Sequence, residues 1–265
     1  MNKNLKRKLG KIRNICFCTI VYIFLFLPIS VIVVNSTNAT TSKPYLAWKG
    51  FTLSWYQKLF ENVSLLDSFK NTMIIAIVST VLATAIGTLG AVGMYKYKFR
   101  GKGLIDALLY IPVVIPEIVL GISLLTLFSK LGIPRGMLTL ILAHVTFSVP
   151  FVIFNVRARL AGYDKSVDEA SMDLGANRTQ TFFRITLPIL APGIAGGALL
   201  AFTLSIDDVI ISYFVNGQMK TYPLKVMDSI KSGVSPDINA LSTLILVGTI
   251  CFVILTQSGI LKKNK

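Results

Sequence analysis

"SVDEASMDLGANRTQTFFRITLP", residues 166–188, is a polar stretch set between two long apolar runs. Its local signals are those of a built element, not of a loose connector. Ser166 stands three residues before Glu169, the spacing of a capping box in which each side chain satisfies the other's orphan backbone N–H. Asp168 and Glu169 suit the positive start of a helix. Val167, Ala170 and Leu174 mark one face, and Gly175 is a natural left-handed stop. The spacing therefore predicts a helix of about eight residues, roughly 12 Å long. Asn177 and Gln180 suggest a second cap, and Pro188 ends the second helix or redirects the chain beyond it. So short a helix is marginal alone. Its small apolar stripe mixed with acids fits a docking surface.

Outward from this stretch the chain turns oily. Of 265 residues, 53% are hydrophobic and only 15% charged, and the mean hydropathy is +0.68. A soluble globular domain does not have that profile. Six stretches meet the length of about 20 apolar residues that a spanning helix requires: 14–34, 71–94, 104–128, 137–157, 188–214 and 241–258. The expected fold is an all-α membrane protein of six transmembrane helices, with the polar helix between spans 4 and 5.

The net charge of +15 does not point to nucleic acid, because the basic residues cluster beside apolar runs. Lys3, Lys6, Arg7, Lys8, Lys11 and Arg13 precede span 1. Lys96, Lys98, Arg100 and Lys102 lie between spans 2 and 3. Arg157, Arg159, Lys165, Arg178 and Arg184 flank the polar helix, and Lys262, Lys263 and Lys265 end the chain. The bias predicts that both termini and the polar helix are cytoplasmic. The basic head raises a secretory signal peptide, but the apolar run is longer than such a signal needs, and "NSTNATTSKP" reads as a polar exit. The expected divisions are a basic terminus at 1–13, a first helix at 14–34, an external loop at 35–67, a transmembrane domain at 68–258 that includes the polar loop 160–188, and a tail at 259–265. Leu53, Tyr56, Leu59, Phe60 and Val63 predict an amphipathic helix in the first external loop, with Trp48 and Trp55 at headgroup depth. In the last one, 215–240, "SGVSPDIN" reads as a turn.

Ser79, Ala83, Gly87 and Ala91 form a small-residue packing face on span 2. Pro112, Pro116 and Pro150 interrupt spans 3 and 4. The cysteines (16, 18 and 251) have no metal-like spacing, and His144 is expected to be a satisfied interhelical hydrogen bonder. No cofactor or metal is expected. Without G-x-x-x-x-G-K-[ST] the chain has no P-loop of its own, and it has no H-E-x-x-H or Ser/His/Asp arrangement.

Acids inside a membrane are costly and face a cavity or a partner. Glu117 falls near the middle of span 3, and Asp207 and Asp208 in the outer part of span 5. Helical spacing puts those two on different faces, Asp207 with Thr203, Leu200, Gly196 and Gly193, and Asp208 with Leu204, Ala201 and Gly197. Glu117, Asp207, Asp208 and Tyr213 are candidates to line a path for a cationic solute, with Phe214 adding wall. The competing reading makes the acids structural. Asp106, near the rim, reads as a helix N-terminal charge.

"DEASMDLGANRTQTFFRITLP" resembles the EAA loop of permease subunits in binding-protein-dependent ABC importers of type I. That motif runs E-A-A, three residues, Gly, about nine residues, then I-x-L-P. This chain has Glu169-Ala170-Ser171, Gly175 and Ile185-Thr186-Leu187-Pro188, departing only at Ser171. The resemblance covers about 68–258. It implies that Ser166, Asp168, Glu169, Ala170, Ser171, Leu174, Gly175 and Pro188 form a coupling element seated in a cytoplasmic ATPase. It implies four kinds of partner: a second homologous permease, a dimer of ATP-binding subunits, an extracytoplasmic substrate-binding protein, and the bilayer of a bacterial cell membrane. "SWYQKLFEN", "IPVVIPEIVLGISLL" and "FTLSIDDVIISYFVNG" look closer to polyamine (spermidine/putrescine) permeases, while permeases for ferric iron, thiamine or phosphonates share parts of them. A secondary transporter or channel is the other class, but no inverted repeat or filter-like motif supports it.

Overall fold

A computed structural model of the chain describes residues 3–41, 47–230 and 233–263, with side chains described for 10–41, 47–230 and 233–251. Two compact units result, one from residues 1–66 and 228–265, the other from 67–227.

In the first unit, α1 (Lys3–Ser36) packs with α12 (Pro236–Lys263), and α2 (Ser54–Glu61) packs on α12 as well. Among its described side chains, the apolar residues of α1 from Ile12 to Val34 are exposed, as a lipid-facing helix requires. The predicted amphipathic helix is α2. Leu59 is its buried residue, while Leu53, Phe60 and Val63 stay exposed. Trp48 is exposed, but Trp55 is not a free headgroup anchor: its indole N–H donates to the Asn38 carbonyl at 2.7 Å. The Tyr56 hydroxyl meets Ser36 Oγ at 2.8 Å. A single antiparallel bridge joins Asn38 and Phe51. Asn62 Nδ2 donates to Asp237 at 2.7 Å, tying the end of α2 to the start of α12.

The second unit is built round α6 (Met137–Leu160), the most enclosed of its helices. Toward one end α6 packs with α3 (Val63–Lys96) and α9 (Leu187–Asp207) through Ala83, Val152, Val156, Leu190 and Ala201. Toward the other it packs with α5 (Glu117–Lys130) and α10 (Ile210–Val215) through Leu124, Phe128, Leu140, Phe147 and Ile211. The small-residue face on α3 is present, for Ser79, Ala83, Gly87 and Ala91 are buried. A Cβ on Gly87 would lie 2.7 Å from Val152 and 3.3 Å from the Val149 carbonyl, so only glycine allows this approach.

Among the described residues, four helices are long and apolar enough to cross a membrane: Gly10–Ser36, Val63–Lys96, Met137–Leu160 and Arg178–Asp207. The predicted third span is two helices, α4 (Lys102–Val114) and α5, bent by 112°. The last predicted span falls on α12, whose described stretch Pro236–Cys251 is apolar. Only Pro116 of the three predicted interrupters breaks a helix. Ile115 before it is extended, as a residue preceding proline prefers, whereas Pro112 and Pro150 sit inside continuous α4 and α6. The predicted fifth span ends early, at Asp207. The segment 215–240 also contains a helix, α11 (Tyr222–Ile230). Ser232 of its "SGVSPDIN" lies outside the described residues, as does Lys265 of the tail.

Asp106 is not a first-turn charge. It is the fifth residue of α4, and its carboxylate lies 2.5 Å from Arg157 on α6.

Candidate functional site

The opening stretch folds as helix, turn and helix. α7 is Ser166–Asp173, and α8, Arg178–Thr181, runs through a π turn at Phe182–Thr186 into α9. The start of α7 differs from the capping box expected. No side-chain bond joins Ser166 and Glu169 among those described, and the Ser166 N–H donates to Asp164 Oδ1 at 2.9 Å. Asp164, two residues upstream, takes an orphan N–H before Ser166 can act as cap. That bond holds the exposed Asp164 carboxyl below the usual range.

The stop is as expected. Gly175 has φ of +92°, its N–H donates to the Met172 carbonyl at 2.9 Å, and the Ala176 N–H donates to Ser171 at 3.1 Å. These two bonds are a Schellman closure. The second cap is present too: Asn177 and Gln180 exchange bonds of 2.8 and 2.9 Å. Pro188 does not end a helix. It sits at the N-terminal edge of α9, and the π turn before it, closed by the Leu187 N–H on the Phe182 carbonyl, makes room for its ring.

α7 divides its side chains between two faces. Val167, Ala170 and Leu174 are exposed, Leu174 at 91%. Asp168 points inward instead. Its carboxylate lies 2.7 Å from Lys96 Nζ at the end of α3 and accepts from Tyr163 Oη at 2.5 Å and from Thr186 Oγ1 at 2.9 Å. Burial pushes the Asp168 pKa up, but the bonds from Lys96, Tyr163 and Thr186 outweigh it and leave the carboxyl below its ordinary range. Burial, and then the bond to Asp168, push the Tyr163 hydroxyl up to about 12. Ser171 Oγ meets Thr181 Oγ1 at 3.2 Å. Thr181 and Thr186, five residues apart, are both buried on α7 because a π turn returns the fifth residue to the same face. Beside this hub a cleft of about 640 Å³ is lined by Lys96, Asp168, Glu169, Met172, Arg178 and Phe183, among others.

The three intramembrane acids come together. Glu117, Asp207 and Asp208 line one cleft of about 350 Å³, with Leu120, Phe147, Phe151 and Leu204 on its walls. Lys and Arg are absent from the described residues that line it. Glu117 is not in mid-helix. It is the first residue of α5, at the bend made by Pro116, where the helix start favours a carboxylate. The two aspartates do not share a helix. α9 ends at Asp207, and Asp208 is extended, with φ −62° and ψ 123°. Asp207 is exposed in the cleft, whereas Asp208 turns back and accepts from the Ile211 and Ser212 N–H groups at 3.2 and 2.7 Å. Gly193, Gly196 and Gly197, predicted on two faces of α9, all meet α6 near Asn155. Tyr213 is exposed, lies outside the residues that line the cleft, and stacks edge-on against Phe214. Phe214 packs on Gly121 of α5.

His144 is the satisfied hydrogen bonder expected of it. Nδ1 lies 2.6 Å from Ser205 Oγ, Nε2 lies 3.0 Å from Ser212 Oγ and 3.4 Å from Asp208 Oδ2, and Ser205 reaches Ser79 on α3 at 3.2 Å. Sequence reasoning missed these partners, as it missed Lys96, Tyr163 and Thr186 round Asp168. Only the paired polar positions within apolar runs hinted at them.

Broken membrane helices that enclose an acidic cleft, together with a folded polar loop bearing an exposed apolar stripe, define a subunit of a membrane transport machine. The chain belongs to the family of binding-protein-dependent transport system inner membrane components, whose model matches residues 83–261. It is 42% identical over 250 residues to the spermidine/putrescine transport system permease protein PotC of Escherichia coli (strain K12), covering 94% of each chain. It is 40% identical over 242 residues to the putrescine transport system permease protein PotI of the same strain, covering 88% of this chain and 85% of that one. The fold is shared with a bacterial ABC transporter involved in the import of the acidic polysaccharide alginate. That match has a TM-score of 0.76 at 17% identity and covers 97% of this chain and 98% of the other. The chain is thus a multi-pass membrane permease component, not an enzyme.

Proposed function

We propose that this chain is one permease subunit of an ATP-driven polyamine importer and forms half of the transmembrane path. The observation that carries this reading is the cleft holding Glu117 and Asp207, with Asp208 behind them. A polyamine is a row of ammonium groups on methylenes. It needs carboxylates for the charges and apolar or aromatic walls for the carbon between them, and Leu120, Phe147, Phe151 and Leu204 supply such walls. The names of the relatives at 40–42% identity support the same substrate.

A second, homologous permease completes the path. An extracytoplasmic protein delivers substrate, and a pair of ATP-binding subunits binds the loop 160–188 through the stripe Val167, Ala170 and Leu174. Gly175 closes that element, Ser166 and Glu169 stand in its first turn, Asp168 and Ser171 fix it from behind, and Pro188 opens the helix that follows. The clustering of Lys and Arg supports cytoplasmic termini and a cytoplasmic loop.

The test uses the whole transporter in proteoliposomes, with assembly checked by co-purification. Asp207→Asn and Glu117→Gln each remove a charge contact worth roughly 1.5–3 kcal/mol, so the KM for radiolabelled spermidine is expected to rise about tenfold or more. Unchanged uptake in both variants refutes the reading.

A further inference from the structure

The break between α9 and α10 is held from one side chain on a different helix. Ser205 lies before the break and Ser212 after it, and both hydroxyls bond the two nitrogens of His144, at 2.6 and 3.0 Å. Asp208, inside the break, spends its carboxylate on the first N–H groups of α10 and on His144 Nε2. A carboxylate only accepts, so Nε2 carries the proton that faces it. Nδ1 meets the Ser205 hydroxyl, and Ser205 in turn meets the Ser79 hydroxyl. A connected chain of hydrogen bonds thus runs from α3 through α9 and α6 to α10. The residue left outside this relay is Asp207, which is exposed in the cleft that also holds Glu117. His144 is 1% exposed, so it cannot touch a solute. An isolated six-residue helix such as α10 has no stability of its own, so its position depends on its packing against α5 and α6, and the clamp fixes the direction of the break at its start.

We propose that His144 is a positioning residue for the acidic cleft, clamping the break between α9 and α10 so that Asp207 is presented to the solute beside Glu117. The proposal rests on the reading of that cleft as the solute path. Loss of the clamp leaves Asp207 in place chemically but no longer fixed, which weakens capture of the cation more than turnover.

The test uses the complete reconstituted transporter with His144→Ala, His144→Gln and Ser212→Ala. Ser212→Ala removes one hydroxyl of the clamp and decides the matter if His144→Ala fails to assemble. Spermidine uptake is read as KM and kcat. In parallel, Asp207→Cys is placed in a background with Cys16, Cys18 and Cys251 changed to Ser. The reaction rate of the introduced thiol with a cationic thiol reagent is then measured with and without each clamp variant. We expect KM to rise about tenfold for His144→Ala, equivalent to about 1.4 kcal/mol. The rise should be smaller for Ser212→Ala, kcat should stay within about twofold, and His144→Gln should recover part of the loss. The thiol reaction rate should shift at least threefold in the same order. A shifted thiol rate with unchanged uptake keeps the clamp and refutes the cleft as solute path. An unchanged thiol rate in assembled His144→Ala or Ser212→Ala overturns the clamp.

Discussion

Replacing Gly175 tests what the polar loop needs most. The residue closes α7 at φ +92°, where its own N–H and that of Ala176 satisfy the carbonyls of Met172 and Ser171. A Cβ built there meets nothing within 4 Å, so within this chain the cost of a side chain is one of backbone conformation alone. For Ala that cost is about 1–2 kcal/mol. Asn tolerates the left-handed region better and costs less, and a β-branched Val costs more. α7 has eight residues and little stability of its own, so 1–2 kcal/mol shifts the ratio of closed to frayed loop by roughly 5- to 30-fold. The assay is spermidine taken up per ATP hydrolysed by the reconstituted transporter carrying Gly175→Asn, Gly175→Ala or Gly175→Val. The expected order of coupling is Gly, Asn, Ala, Val, with insertion and assembly retained. A steric explanation, in which an added side chain collides with the docked ATPase, ranks by size and puts Ala above Asn. That order would refute the backbone argument.

Asp168→Asn should loosen the same loop from within. Removing the charge that faces Lys96 costs about 1–2 kcal/mol for a partly buried pair, read as faster hydrogen exchange over residues 163–186. In the unmutated chain the Asp168 pKa is depressed, so its stabilisation is complete above the usual carboxylate range and fades only as pH falls through the lowered value. Protection of the loop, corrected for intrinsic rates, is therefore flat from about pH 5 to 8, and a decline on going from pH 7 to 5 would count against the assignment. Gly87→Val forces a side chain into Val152, 2.7 Å from the new Cβ, and should lower stability by about 1–3 kcal/mol in thermal unfolding. Gly93→Ala on the same helix, with nothing within 4 Å, is the matched control and should leave the midpoint nearly unchanged.

What the sequence revealed was decided by local chemistry. The Gly175 stop, the Asn177–Gln180 box and the small-residue face of α3 depend on residues within one or two turns, and each is legible. The Ser166 box is not formed because Asp164, just outside the quoted stretch, reaches the first free N–H sooner. Local logic also assigns Asp168 to the helix start. Its partners Lys96, Tyr163 and Thr186 come from three other elements, and no periodicity records them. Three prolines look alike on paper, and tertiary packing chose Pro116 as the one that bends its span. The acids are legible as a set, since a charge in an apolar run stands out. Their division of labour is not, because a break after Asp207 turns two neighbours in opposite senses.

The π turn at Phe182–Thr186 carries a consequence for how this loop can change over time. In an α-helix, residues five apart point about 140° away from each other. With one extra residue in the turn, Thr181 and Thr186 both grip α7, one through Ser171 and the other through Asp168. Exposed Phe183 lies between them and bears on neither bond. Substitution there is cheap, but winding the same five residues as an ordinary α-helix would swing one threonine away from its partner. The interval is therefore constrained in its winding, which matters more than its spelling.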